Sequence, residues 1–261
     1  MGDFHQSGEI TTLHRFGSRD IAKLESEIKK LSRLRPIALV LPTIFSELEG
    51  TALPKILNEL KDVKYLKQII VTLGRFNKEQ FKYAKKFFSV LPQEVMLIWN
   101  DGPGMKKLYK LLDEKNVSAG ADGKGRSAWM SYGYVLASEK SKVIVLHDCD
   151  VQTYDREFLA RLCYPVVNQD LDFEFCKGYY SRITDRMHGR VTRLLVTPLL
   201  RALRRLLGDL DFLKYMDSFR YPLAGEFSML ADLARVNRIP GDWGLEVGVL
   251  AEIYRNCSRK R

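Results

Sequence analysis

Three short apolar runs in the N-terminal part limit the architecture more than anything else in this chain. Ile37-Ala-Leu-Val-Leu41, Ile69-Ile-Val-Thr-Leu73 and Val95-Met-Leu-Ile-Trp99 are rich in β-branched and large apolar residues. They lack clean alternation, as expected of parallel strands covered on both faces. Between them lie segments of helical spacing, Thr51 to Leu60 and then Phe81, Ala84 and Phe87. A further helix precedes the first run, with Ser18 as its predicted N-cap and Ile21, Leu24, Ile28 and Leu31 along one face, until Pro36 breaks the pattern. The order β-α-β-α-β with short connections predicts an α/β fold built on a doubly wound sheet. With 261 residues and 46% hydrophobic content, the chain can bury the core of one large domain.

After the turn Asn100-Asp-Gly-Pro-Gly104 and a predicted helix from Met105 to Leu112 comes Ser118-Ala-Gly-Ala-Asp-Gly-Lys-Gly-Arg126. A helix from Ser127 to Ser138 is expected to follow it. A Gly-rich loop with Lys124 at a helix entrance can offer backbone N–H groups and one ammonium to a diphosphate. It is not a Walker A loop, since Gly125 stands where Ser or Thr is required. The plain alternative is a flexible helix-entry turn with a solvated lysine. The next strand, Val143 to His147, runs into Asp148-Cys-Asp150. Alternation puts Asp148 and Asp150 on one side and Cys149 on the other. Two carboxylates side by side call for a cation between them, and a hard one such as Mg²⁺ or Mn²⁺ can also reach substrate phosphates. The alternative here is a polar turn after a strand. The diphosphate-type loop and the carboxylate pair therefore lie at opposite ends of one αβ unit.

Beyond Asp150 the pattern changes. Phe158 to Val167 reads as a helix around Pro165, Leu171 to Lys177 alternates like a strand of a mixed sheet, and Val191 to Leu207 reads as a helix. A polar loop with Arg182, Arg186, His188 and Arg190 suits capture of a carboxylate or phosphate, whereas Arg193 reads as solvated. Glu226 and Glu246 each sit beside glycines, where backbone and ligand can approach closely, and a helix is expected from Leu245 onward. The change of pattern divides the chain into an N-terminal arm (1–17) and two halves, 18–150 and 151–261, of the same domain.

The net charge of +10 invites a nucleic-acid reading. The basic residues are nevertheless scattered, and no zinc-finger or RNP-type motif accompanies them; an enzyme of anionic metabolites would carry the same excess, and both readings stay open on charge alone. No apolar run reaches membrane-spanning length, and the N-terminus has neither a signal-peptide nor a myristoylation pattern. Cysteines at 149, 163, 176 and 257 show no paired spacing, which predicts reduced thiols and a cytoplasmic location.

The order of these motifs resembles the GT-A glycosyltransferases and, among them, the retaining glucosyl-3-phosphoglycerate synthases, over about residues 36 to 254. The residues that carry the likeness are Leu41-Pro42 with Ser46-Glu47, Gly123-Lys124-Gly125, Asp148-Cys149-Asp150, Gly189-Arg-Val-Thr192 with Thr197-Pro-Leu-Leu200, Ala224-Gly-Glu226 and Gly244-Leu-Glu-Val-Gly248. The resemblance implies a Rossmann-like mixed sheet flanked by helices and transfer of glucose from UDP-glucose to 3-phosphoglycerate. It assigns the nucleotide sugar to Pro42, Glu47, Gly74, Lys124, Asp148 and Cys149, and the small anionic acceptor to Gly189, Arg190 and Thr192. Asp150 becomes the ligand of Mg²⁺ or Mn²⁺ and, with Glu246, a catalytic group. A homodimer is also implied. Two features depart from the family: the first loop, Thr43-Ile-Phe-Ser46, is longer, and none of His5, His14, His147 and His188 matches the family's downstream His ligand. Transfer of another sugar such as mannose to a lipid phosphate or polysaccharide is the alternative, with Leu194 to Leu207 on a membrane surface; nucleic-acid binding ranks last.

Overall fold

The computed structural model describes residues 10–14, 20–180 and 189–257. Helix α1 (Ile21–Leu31) is capped by Asp20, whose carboxylate accepts from Ala22 N at 2.9 Å. The predicted cap, Ser18, lies outside the described residues. Strand β1 (Ile37–Ile44) runs three residues past the expected end at Leu41, through Pro42. This is tolerated because only β2 (Leu66–Gly74) pairs with that extension, and Pro lacks the donor a second ladder would need. A one-turn helix, α2 (Phe45–Glu49), then carries Glu47, and α3 (Ala52–Leu60) follows. Nothing in the residue pattern marks α2, since five residues are too few to show a period.

Helix α4 (Lys78–Phe88) opens on a reciprocal cap in which Asn77 Oδ1 accepts from Gln80 N and Gln80 Oε1 from Asn77 N, at 2.8 and 2.9 Å. Strand β3 (Val95–Trp99) has its expected bounds, and α5 (Pro103–Glu114) starts on a proline. Helix α6 (Lys124–Ser138) begins three residues earlier than expected, so Lys124 is its first residue. Strand β4 (Val143–Leu146) stops one residue before His147. The remaining elements are α7 (Arg156–Val167), β5 (Phe175–Lys177), α8 (Thr197–Leu207), α9 (Asp211–Ser218), β6 (Phe227–Leu230), α10 (Ala231–Val236) and α11 (Leu245–Asn256). The strand expected from Leu171 is cut to three residues, because Gln169–Leu171 forms a tight turn and Asp172 takes a left-handed conformation at φ 53°. The helix expected from Val191 is present, but its start is a wide π-type turn over Thr192–Val196.

The strands form one mixed sheet in the order β3-β2-β1-β4-β6-β5. The first four strands are parallel, β6 runs antiparallel to β4, and β5 antiparallel to β6. Residues alternate between two apolar clusters. Ile37, Leu39, Leu41, Val143 and Val145 face one, with α1, α3, α4 and α7; Ala38, Val40, Ile144 and Leu146 face the other, with α6, α10 and α11. Burial on both sides, on the order of 2 kcal/mol for each large side chain, makes these strands continuous apolar runs in sequence. No helix among the described residues is long and apolar enough to cross a membrane.

Candidate active site

The period-2 alternation of β4 continues beyond its last ladder residue, as the sequence predicts. His147 packs against Tyr154 and Phe158, at 5.0 and 6.3 Å between ring centroids, and Cys149 is buried in the same cluster. Its Sγ lies 3.2 Å from Thr43 Oγ1, so its side chain turns away from the side that carries Asp148. His147 Nδ1 is 2.9 Å from Asp148 O, and burial pushes its imidazole down to about 4, which keeps it neutral at ordinary pH. Asp148 is half-buried and Asp150 exposed at the carboxyl edge of the sheet, where open α/β folds bind ligands.

The diphosphate-type loop and the carboxylate pair, far apart along the chain, meet at this edge. Lys124 Nζ lies 2.5 Å from Asp148 Oδ1 and 2.8 Å from Glu246 Oε1. Burial works against the ammonium, but the two carboxylates outweigh it and hold Lys124 protonated well above the usual lysine range. Glycines make this meeting possible. A Cβ on Gly125 would lie 1.8 Å from Pro240 O, and one on Gly123 would lie 2.6 Å from Asp242 Cα. Arg126 N donates to Gly241 O at 2.6 Å. The start of α6 and the turn leading into α11 therefore interlock backbone against backbone, which places Lys124 beside Glu246. Gly225 closes the other side, since a Cβ there would fall 2.2 Å from Asp148 Oδ2.

Two further carboxyls border the cluster. Glu47 Oε2 accepts from Ile44 N at 2.9 Å; burial pushes its carboxyl up to about 7 against that hydrogen bond, with Asp150 and Asp148 adding to the rise. Glu226 is 2% exposed and accepts from Tyr180 Oη at 3.1 Å, and burial, then Asp148, push it up to about 7. Pro42 is half-buried in β1, and Gly74 ends β2 with Thr43 O, Asn100 Nδ2 and Ser127 Oγ each 4.0 Å from where a Cβ would stand. Asn100 Nδ2 donates to Ser127 Oγ at 2.7 Å and ties the turn after β3 to α6.

Among the described residues, the predicted acceptor segment makes no hydrogen bond to this cluster. Gly189 adopts φ 84°, Arg190 is exposed, and Thr192 is buried with its hydroxyl unpartnered. Arg193 is exposed, as expected, while Arg182, Arg186 and His188 lie outside the described residues. Sequence reasoning took Lys177 only as the end of a strand, and the structure pairs it with Phe227 of β6 and buries its ammonium over the Phe227 ring. A charged residue closing an apolar run just before Gly178 was the available signal.

No group of three His, Cys, Asp or Glu side chains among the described residues could hold a metal ion. That still fits Mg²⁺ or Mn²⁺, which bind through one or two carboxylates and take their other oxygens from water and substrate phosphates. Glu47 and Glu226, raised by burial first and by the neighbouring Asp148 and, for Glu47, Asp150 second, fit a cation as well.

No protein-family model matches the chain. It is 51% identical along its whole length to a glucosyl-3-phosphoglycerate synthase of Persephonella marina, and 41% identical over 99% of its length to one of Methanococcoides burtonii. It spans just under two thirds of those proteins, 65% and 64%. Crystal structures of the Mycobacterium tuberculosis glucosyl-3-phosphoglycerate synthase superpose on it. The complex with Mg²⁺ and UDP gives a TM-score of 0.65 at 22% identity, covering 95% of this chain and 73% of that one. The complex with Mn²⁺, UDP-glucose and phosphoglyceric acid gives 0.64 at 21%, covering 95% and 74%. The chain thus carries the GT-A fold of the solved glucosyl-3-phosphoglycerate synthases and is similar in sequence to that family from end to end.

Proposed function

We propose that this chain is a metal-dependent retaining glycosyltransferase that moves glucose from UDP-glucose to 3-phosphoglycerate. The observation that carries the reading is the convergence of Lys124, Asp148 and Glu246, from three distant segments, at the carboxyl edge of the sheet. Sequence identity of 51% to a glucosyl-3-phosphoglycerate synthase supports the substrates. Glu47 and Asp148 seat the base and ribose, with Pro42, Gly74 and the main chain of Cys149 lining the same pocket. Lys124 meets the diphosphate. Asp150 holds Mg²⁺ or Mn²⁺, which when bound supplies Lewis-acid stabilisation of the departing diphosphate. Gly189, Arg190 and Thr192 hold the carboxylate or phosphate of the acceptor, and Glu246 orients the attacking hydroxyl. The bond from the anomeric carbon to the diphosphate breaks, and one to the acceptor oxygen forms, through an oxocarbenium-like state, the hydroxyl proton passing to the departing diphosphate. The donor is thereby assigned to residues 18–150 and the acceptor to residues 151–261.

We also propose a homodimer in the cytoplasm. The free thiols at 149, 163, 176 and 257 support the location. Leu195, Leu199 and Leu206, exposed on and just before α8, support an association surface. Light scattering tests the dimer. The same leucines, with Arg201 and Arg205, favour a second reading in which the helix lies on a membrane and the acceptor is a lipid phosphate; vesicle flotation tests that.

The deciding experiment incubates the chain with Mg²⁺ and 3-phosphoglycerate, with UDP-glucose or GDP-mannose in parallel, and follows nucleotide release and product mass. Glucosylated phosphoglycerate from UDP-glucose, lost in Asp150→Ala, is the expected result. Nucleotide release without sugar on phosphoglycerate, or metal-dependent turnover intact in Asp150→Ala, overturns the reading.

A further inference from the structure

Lys177 is a charged group near the site to which the proposed reaction gives no role. It ends β5 in register with Phe227 of β6, and its ammonium lies 5.6 Å from the centre of the Phe227 ring. The stem is half-buried, but the ammonium nitrogen is buried and has no hydrogen-bond partner. Phe227, and Phe175 two residues before Lys177, belong to the apolar cluster shared with α6 and α11. The ammonium therefore approaches the site from the side that carries Lys124 and Glu246. The charged groups that act on it are Glu246 from the first turn of α11, Glu226 from the turn before β6, Lys124 from α6 and Asp148 from the end of β4. Glu226 Oε2 is also buried and unpartnered.

A buried ammonium without a hydrogen-bonding partner is costly and persists where its charge is used. The charge balance of the site shows the use. Asp148, Asp150, Glu47, Glu226 and Glu246 gather here, and Lys124 is already engaged with Asp148 and Glu246. Without a second cation the rear of the cluster would repel an anionic substrate. We propose that Lys177 is a positioning residue, a fixed positive charge beside Glu226 and Glu246 that offsets their charge and holds their side chains in place while anionic substrates bind in front. The proposal rests on the glycosyl-transfer reading. Because the ammonium makes no hydrogen bond, it acts by charge through a poorly polarisable medium, and arginine can replace it where methionine cannot. Burial pushes the ammonium down to about 8, against the pull of Glu246 and Glu226, so the charge is lost at moderately alkaline pH.

The test compares wild type, Lys177→Met and Lys177→Arg for kcat and KM across neutral and alkaline pH, with Mg²⁺, UDP-glucose and 3-phosphoglycerate. Lysine ¹⁵Nζ NMR of the free chain runs alongside, the Lys177 resonance being assigned by its loss from K177M. Wild-type kcat falls as pH rises through about 8. K177M loses roughly 10- to 100-fold in kcat with no alkaline limb, and its KM for UDP-glucose moves by less than about 3-fold. K177R restores kcat and holds it at alkaline pH. In the NMR arm the ammonium titrates near 8, and lower still in Glu246→Gln. Wild-type kcat in K177M, an alkaline limb retained in K177R, or a titration unmoved by Glu246→Gln overturns the proposal. A wild-type chain without turnover overturns the glycosyl-transfer reading instead, and the NMR result shows separately whether Lys177 is coupled to Glu246.

Discussion

Two alanine substitutions in the same helix should act in opposite directions. At Gly125 an added Cβ lies 1.8 Å from Pro240 O and 2.9 Å from Gly241 C, where 3.4 Å is the near limit of ordinary contact. The start of α6 or the 240–242 turn must therefore move by about 1.6 Å, and both obstacles are backbone, so no rotamer change relieves them. The displacement breaks the 2.6 Å hydrogen bond from Arg126 N to Gly241 O and pulls Lys124 away from Glu246, now 2.8 Å apart. Overpacking of this kind costs about 1–3 kcal/mol, offset by under about 1 kcal/mol from the better helix propensity of alanine. An ångström of misplacement at the site costs on the order of 100-fold in turnover. Gly133, on the same helix, has nothing within 4 Å of an added Cβ, so Gly133→Ala should stabilise by about 0.5–1 kcal/mol. Urea denaturation gives both stabilities, and calorimetric titration with UDP and Mn²⁺ gives binding. Gly125→Ala as stable as wild type, with unchanged nucleotide affinity, would show that the interlock of the two turns does not set the site.

Two further outcomes follow from the charged cluster. Glu226 has a folded-state pKa near 7 against a usual carboxyl value of 4.5, so the folded chain binds more protons between those values and loses stability as pH rises through that window. Glu226→Gln, which mimics the protonated acid, should therefore stabilise the substrate-free chain by up to about 3 kcal/mol above the window and by almost nothing below it. Neutral His147 titrates with the opposite sign, losing stability as pH falls toward 4, but it does so in both proteins and cancels from the difference. Thermal melts at both ends of the range decide this, and a pH-independent effect would refute it. Lys124→Met leaves Asp148 and Glu246 without their shared cation, and metal-dependent UDP affinity should fall by roughly 100-fold, measured by calorimetry; an unchanged affinity would remove Lys124 from the diphosphate site.

What the sequence showed and what it hid divide along local and non-local physics. β3 was legible to the residue because it is an unbroken apolar run of strand length, although as the edge strand it is mostly half-buried. The facing of Asp148 and Cys149 was legible because alternation is a backbone property that continues past the last ladder bond. The end of β1 was misread at Pro42, since a proline says nothing about whether its missing donor faces a vacant ladder position. The glycines around Lys124 were legible as important but for an incomplete reason. Read alone they suggest a loop shaped for phosphate, whereas in the fold Gly123 and Gly125 make room for Asp242 and Pro240, more than a hundred residues away. Lys177 is the limiting case. A lysine at the end of a strand ordinarily extends to solvent, and only the packing of Phe227 beside it, with α11 beyond, decides that this one does not. The site is therefore held by steric exclusion between backbones as much as by attraction between charges. Each side chain of the ion-paired core can be found by chemistry, but their meeting depends on residues chosen for having no side chain at all.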